Sequence, residues 1–133
     1  MSETRHLSRA YIHLDRLTHN LRLLQNLVGE RPMWPAIKAN GYGHGIELVA
    51  RHLLKLGYDT ICVAHISEAV ALIEAGVRAN YLLLSATLPE HSEAIVAYDC
   101  EPAVCTLEMV EALVAEAEKA DRQISVHLMV DTG

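Results

Sequence analysis

Short apolar runs alternate with amphipathic segments along most of this chain. Continuous apolar runs predict buried strands, and apolar residues that recur every three or four positions predict helices. Strands are predicted at residues 11–14, 60–64, 81–84, 102–105 and 124–130, and a further extended segment leads from Pro32 to Lys38. From residue 60 onward the strand starts follow one another at nearly equal intervals, which is typical of repeated βα units.

The segments between the strands predict five helices. Their ends are marked by polar residues that can cap the first turn and by glycines that can end the last one. The predicted N-caps are Asp15, Ser67 and Thr106, and the predicted stops are Gly29, Gly57 and Gly76. A shorter helix is predicted at residues 89–97, where a proline suits the first turn.

Alternating strands and helices with continuous apolar strands predict an α/β fold, in which helices cover a parallel sheet. Two architectures fit, an open doubly wound sheet and part of a TIM-type (β/α)8 barrel. The glycines at 41, 43 and 45 do not match the G-x-G-x-x-G dinucleotide fingerprint. Because eight strands need about 250 residues, residues 1–133 are predicted to hold about the first five strands of a barrel. A five-stranded open sheet is the alternative.

Composition narrows the classes of function. The chain is 51% hydrophobic and 21% charged, as expected for a folded domain, and its formal net charge of −6 makes nucleic acid an unexpected partner. It contains no apolar run of membrane-spanning length. Three cysteines without a CxxC pair suggest a reduced, cytoplasmic setting. The eight histidines are scattered without metal-ligand spacing, so no metal is expected.

Lys38 is the first candidate for chemistry. It follows an apolar run at the carboxyl end of a predicted strand, where both candidate folds bind ligands. An amine in this position could form a Schiff base, although on spacing alone a surface lysine beside a turn is the more common explanation. The glycine-rich turn at residues 41–45 could offer backbone N–H groups to a phosphate. The Tyr42 hydroxyl could donate to the same phosphate, or the ring could pack against the first helix.

Two further polar residues lie at the last predicted strand. His127 alternates with apolar neighbours, so it could point into the barrel, where packing and support of a site are both open. Asp131 follows the strand and is interpreted as a solvated turn residue.

Residues 36–45, Ala-Ile-Lys-Ala-Asn-Gly-Tyr-Gly-His-Gly, resemble the pyridoxal-phosphate attachment motif of alanine racemases. The segments at residues 11–15, 63–76 and 126–133 resemble the same family in the same order. The resemblance therefore covers about residues 8–133.

The resemblance implies that Lys38 holds pyridoxal 5'-phosphate through a Schiff base and acts as one of two catalytic bases, and that Tyr42 binds the cofactor phosphate. It implies an alanine racemase that interconverts L-alanine and D-alanine and supplies D-alanine for peptidoglycan. It also implies a homodimer with a β-rich C-terminal domain. The second base and two arginines of the family's site have no match here, so residues 1–133 are interpreted as a truncated part of the barrel domain, inactive alone.

One position departs from the family pattern, and other functions stay open. Many members have a lysine at this position, which helps to orient a substrate-binding arginine, whereas Met129 of this chain cannot form a carbamate or a salt bridge. Alternatives are a related pyridoxal-phosphate racemase for serine or lysine, an amino-acid decarboxylase of similar fold, or a cofactor-binding fragment without catalysis.

Overall fold

The computed structural model describes residues 9–133, in which helices alternate with short parallel strands. The helices are α1 (Leu14–Val28), α2 (Lys38–Tyr42), α3 (Ile46–Lys55), α4 (Ile66–Glu74), α5 (Ser92–Ala97) and α6 (Leu107–Lys119). A 3-10 turn, Pro89–His91, leads into α5. The strands are β1 (Thr60–Val63), β2 (Asn80–Leu83), β3 (Glu101–Val104) and β4 (His127–Leu128).

The chain forms two compact units, one ending at Pro32 and one running from Met33 to Gly133. In the first unit, α1 ends at Gly29, whose positive φ of 69° suits glycine, as predicted. The strand predicted at residues 11–14 is wrong, because residues 11–13 are irregular and Leu14 already begins α1. No neighbouring strand in the described chain pairs with this segment, so its backbone has no ladder to join. Asp15 lies inside the first turn, and His13 takes the N-cap position.

The sheet of the second unit is parallel and follows the order of the chain, β1-β2-β3-β4. Residues 35–37, here called the edge segment, lie beside β1. The amide of Ile37 donates to the Cys62 carbonyl at 2.9 Å, and the Cys62 amide donates to the Pro35 carbonyl at 2.9 Å. Within the described residues the strand order never reverses, whereas a doubly wound sheet reverses at its switch point. This order confirms the barrel-type fold, although the fifth strand is shorter than predicted and is regular only at His127–Leu128.

A contact between two rings shows that the sheet curves. Trp34 precedes the edge segment and His127 begins β4, so four strand spacings of about 4.8 Å would separate them by roughly 19 Å in a flat sheet. Their ring centroids are 6.0 Å apart and the rings meet edge to face. The side chains therefore converge across the concave face, as in the wall of a barrel.

Burial explains why the strands read as continuous apolar runs. In both β1 and β2 the last three residues are buried, and each helix on the sheet buries one apolar stripe. The most deeply buried helical side chains are Ala50, Leu53, Ala69, Leu72, Ile95, Met109 and Leu113. Burying a side chain of leucine size contributes about 2 kcal/mol, so this layer is a major source of stability.

Of the two N-caps predicted for helices on the sheet, one is confirmed and the other is wrong. Thr106 caps α6 as predicted, since its hydroxyl accepts a hydrogen bond from the Met109 amide at 3.3 Å. The predicted cap at Ser67 is wrong: α4 begins at Ile66, so Ser67 lies in the first turn and His65 is the N-cap. The helix begins earlier because another side chain, Glu68, accepts a hydrogen bond from the Ala64 amide near its start.

Candidate active site

The turn after the edge segment is a left-handed helical turn. Five successive residues have positive φ, 52° at Ala39, 54° at Asn40, 62° at Gly41, 52° at Tyr42 and 86° at Gly43. For a residue other than glycine this conformation costs roughly 1–2 kcal/mol, and such strain is often found at functional sites. The sequence indicated a glycine-rich turn here, and the structure shows a specific and strained one.

Most of the turn's amides are used within the turn itself. The Gly41 amide donates to the Ile37 carbonyl at 2.8 Å, and the Gly45 amide donates to the Asn40 carbonyl at 3.0 Å. The amides of residues 43 and 44 also donate to carbonyls of the turn. These groups are therefore not available to a phosphate, contrary to the expectation from the glycine pattern. The left-handed winding brings the carbonyls of residues 39–41 within reach of the amides that follow.

Lys38 lies between two anchored residues at the carboxyl end of the edge segment. On one side the Ile37 amide is bound to β1 through Cys62. On the other side the Ala39 amide donates to Oε1 of Glu68 at 2.7 Å. Lys38 itself is half-buried. The backbone at Lys38 is thus fixed from both directions, at the end of a parallel sheet where such folds bind ligands.

Glu68 is a residue of this site to which the sequence pattern alone assigned no role. Its second oxygen, Oε2, accepts a hydrogen bond from the Ala64 amide at 2.8 Å, just after β1. The available signal was its place as the third residue of α4, where a carboxylate commonly accepts backbone amides. The long-range contact to Ala39, 29 residues away, is visible only in the structure.

Comparison of the sequence with those of known proteins identifies a family. The sequence model of the alanine racemase N-terminal domain matches residues 12–133. The chain belongs to the alanine racemase family. Curated relatives include the alanine racemases of Carboxydothermus hydrogenoformans, 35% identical over 93% of this chain and 34% of the relative, and of Clostridium perfringens, 36% identical over 93% and 32%.

Solved alanine racemase structures have the same fold. The alanine racemase of Clostridium difficile 630 in complex with cycloserine is 30% identical, with a TM-score of 0.85 over 90% of this chain and 32% of that one. A histidine racemase from Leuconostoc mesenteroides, 23% identical with a TM-score of 0.82, shares the fold. The chain spans about a third of the length of the curated relatives it matches.

Tyr42 lies on the exposed side of the turn. The Tyr42 side chain is 61% exposed, so it is not a core aromatic.

The Cys62 thiol lies on β1, and burial raises its pKa. It therefore stays protonated near neutral pH. Among residues 9–133, no three His, Cys, Asp or Glu side chains are grouped to hold a metal.

His127 is part of a polar cluster on the concave face of the sheet. Its Nε2 lies 2.8 Å from Oε2 of Glu101, and its ring contacts Trp34. The sequence left packing and support of a site open for His127, and the structure shows a half-buried polar pair spanning β3 and β4. Asp131 is exposed, and its carboxylate accepts the Gly133 amide at 3.0 Å, as expected of a turn residue.

Proposed function

We propose that this protein, in its natural length, is a pyridoxal-phosphate-dependent alanine racemase that interconverts L-alanine and D-alanine. Lys38 carries the proposal, because it is a half-buried amine with its backbone anchored on both sides at the carboxyl end of a parallel sheet. Membership of the alanine racemase family supports the same activity. Since this chain spans about a third of those relatives, the activity is proposed for the protein in its natural length.

Two side chains of this chain suit the cofactor. Lys38 would hold its aldehyde carbon through Nζ, and the exposed hydroxyl of Tyr42 would donate a hydrogen bond to its phosphate. When bound, pyridoxal phosphate is an electron sink for a carbanion at the substrate's Cα. The Lys38 amine would then move a proton on one face of that carbon, and a second acid–base group outside this chain would serve the other face.

The cellular role follows from the proposed reaction. D-alanine would be supplied for peptidoglycan, in the cytoplasm, by a homodimer. The three free thiols of the described chain suit a reducing compartment. No helix within residues 9–133 is long and apolar enough to cross a membrane.

Reductive trapping tests the site. The natural-length protein is incubated with pyridoxal phosphate, reduced with borohydride, digested and mapped by mass spectrometry. We expect the pyridoxyl group on Lys38, and we expect Lys38→Ala to abolish both the adduct and racemisation. Lys55→Ala is the matched control, because Lys55 is an exposed lysine on α3. An adduct at another lysine would refute the assignment.

Substrate comparison tests the reaction. The isolated holoenzyme is given single enantiomers of alanine, serine, lysine and histidine, and the opposite enantiomer is quantified by chiral chromatography. We expect the highest kcat/KM with alanine. Faster turnover of another amino acid, or release of carbon dioxide, would assign the protein to a different reaction of the same fold.

A further inference from the structure

We propose that Glu68 is a positioning residue that holds the Lys38 amine in its reactive orientation. The inference rests on the proposed function, because it concerns the same lysine. Glu68 lies on the following βα unit, and nothing in its sequence surroundings links it to Lys38. The connection is the pair of hydrogen bonds made by its carboxylate.

The Glu68 carboxylate bridges two backbone segments. Oε1 accepts the Ala39 amide at 2.7 Å, and Oε2 accepts the Ala64 amide at 2.8 Å. Hydrogen bonds to an ionised acceptor are roughly twice as strong as neutral ones, and the N-terminus of α4 favours the negative charge. The half-buried side chain therefore joins the residue after Lys38 to the end of β1.

This bridge stabilises a strained backbone conformation at Ala39. Ala39 is the first residue of the left-handed turn, with φ of 52° and ψ of 52°, a conformation that alanine avoids. The hydrogen bond from its amide to Glu68 stabilises that conformation. Without it, we expect Ala39 to shift toward negative φ, which rotates the peptide joining it to Lys38 and redirects Nζ. A displacement of about 1 Å at a reacting atom can lower a rate roughly 100-fold.

Two substitutions remove the bridge, one in part and the other completely. Glu68→Gln keeps the size of the side chain but leaves one acceptor oxygen and places an NH2 group against the other amide. Glu68→Ala removes both acceptors. Glu74→Gln is the charge-matched control, because Glu74 is the exposed last residue of the same helix. Val77→Ala is a stability control, because Val77 is buried just beyond that helix and distant in sequence from the bridge.

The experiment uses the natural-length holoenzyme and three readouts. The first is amide hydrogen exchange of the peptide spanning residues 38–45, the second is the Kd for pyridoxal phosphate, and the third is kcat and KM for alanine. For Glu68→Ala we expect faster exchange in that peptide, a Kd raised roughly tenfold, and kcat lowered 10- to 100-fold with little change in KM. Glu68→Gln should fall between Glu68→Ala and the unchanged protein.

The controls separate positioning from general destabilisation. Val77→Ala should lower the Tm but leave the exchange of residues 38–45 and the Kd unchanged at a temperature where the protein is folded. Glu74→Gln should behave as the unchanged protein does. If Glu68→Ala alters only the Tm, as Val77→Ala does, the proposal is refuted.

Failure of the proposed function gives a different result. If the unchanged protein forms no pyridoxyl adduct at Lys38, the cofactor assignment fails, and with it the positioning role. If that adduct forms and Glu68→Ala retains the same Kd, kcat and exchange, only the role of Glu68 fails. Faster exchange at residues 38–45 together with a raised Kd supports both.

Discussion

Oδ1 of Asn40 accepts a hydrogen bond from the backbone amide of Ile46 at 3.0 Å. Ile46 is the first residue of α3, and the N-cap residue Gly45 has no side chain to cap the helix. Asn40, five residues before Gly45, therefore supplies the cap. It can do so because the left-handed turn brings its side chain back to the start of α3. Asparagine also tolerates φ of 54° better than most residues.

Substitution of Asn40 should separate these two contributions. Asn40→Gly loses the cap but keeps the left-handed conformation, and it should lower the free energy of unfolding by about 1 kcal/mol. Asn40→Ala loses both, and should lower it by about 1 kcal/mol more. Urea unfolding of the natural-length protein measures the series. Equal stability of the alanine and glycine variants would show that the turn changes its conformation when the cap is lost.

Ala39 should accept glycine with a gain in stability. At φ of 52° an alanine is strained, so Ala39→Gly should raise the free energy of unfolding by about 0.5–1 kcal/mol, less the entropy that glycine adds to the unfolded chain. The matched control is Ala71→Gly, at an exposed interior position of the right-handed helix α4, which should lower it by about 1 kcal/mol. Thermal unfolding of both variants should show opposite signs, and equal losses would contradict the left-handed assignment.

Tyr42→Phe should weaken cofactor binding without unfolding the protein. The ring is 61% exposed, so loss of the hydroxyl leaves the packing unchanged, while one hydrogen bond to a charged phosphate is lost. Such a bond contributes about 1.5–3 kcal/mol, equivalent to a Kd raised roughly 10- to 100-fold. Equilibrium dialysis with pyridoxal phosphate measures the change. Tyr58→Phe, at a half-buried position beyond α3, is the control and should leave the Kd unchanged.

Alkaline pH should destabilise the fold through Cys100. Burial, with a smaller effect of Asp99, raises the pKa of this thiol from 9.0 to about 11, and the side chain is only 1% exposed. The unfolded thiol loses its proton above pH 9 while the folded one keeps it, so stability present below pH 9 is lost as pH rises toward 11. At pH 10 the loss from this group is about 1 kcal/mol.

The Cys100→Ala variant isolates this effect. Burial also raises the pKa of Tyr81, to about 12, so some alkaline destabilisation should remain in the variant. Urea unfolding at pH 8 and pH 10 should show a smaller loss for Cys100→Ala than for the unchanged protein. Identical losses in the two proteins would show that the thiol ionises equally in the folded and unfolded states.

Local sequence patterns were sufficient to predict much of the secondary structure of this protein. The apolar runs predicted β1, β2 and β3 within one or two residues, because strands buried by helices need continuous apolar side chains. The βα spacing predicted a parallel sheet, and the absence of a dinucleotide fingerprint favoured a barrel; the strand order and the family agree with it. The motif around Lys38 identified the family because ten consecutive residues carry far more information than one lysine.

Tertiary contacts decided the rest. Residues 11–13 have strand-like alternation but form no strand in the described chain, since pairing needs a neighbour that pattern alone does not supply. His127 is polar within an apolar run. Pairing of β3 with β4 brings it to Glu101, and curvature of the sheet brings it to Trp34. At Ala39 the left-handed winding is accompanied by a hydrogen bond to a residue far along the chain, Glu68. By itself, then, the sequence determined the order of elements and the candidate lysine, because both depend on short-range patterns. How the backbone at that lysine is held was decided by hydrogen bonds between segments that meet only in the folded protein.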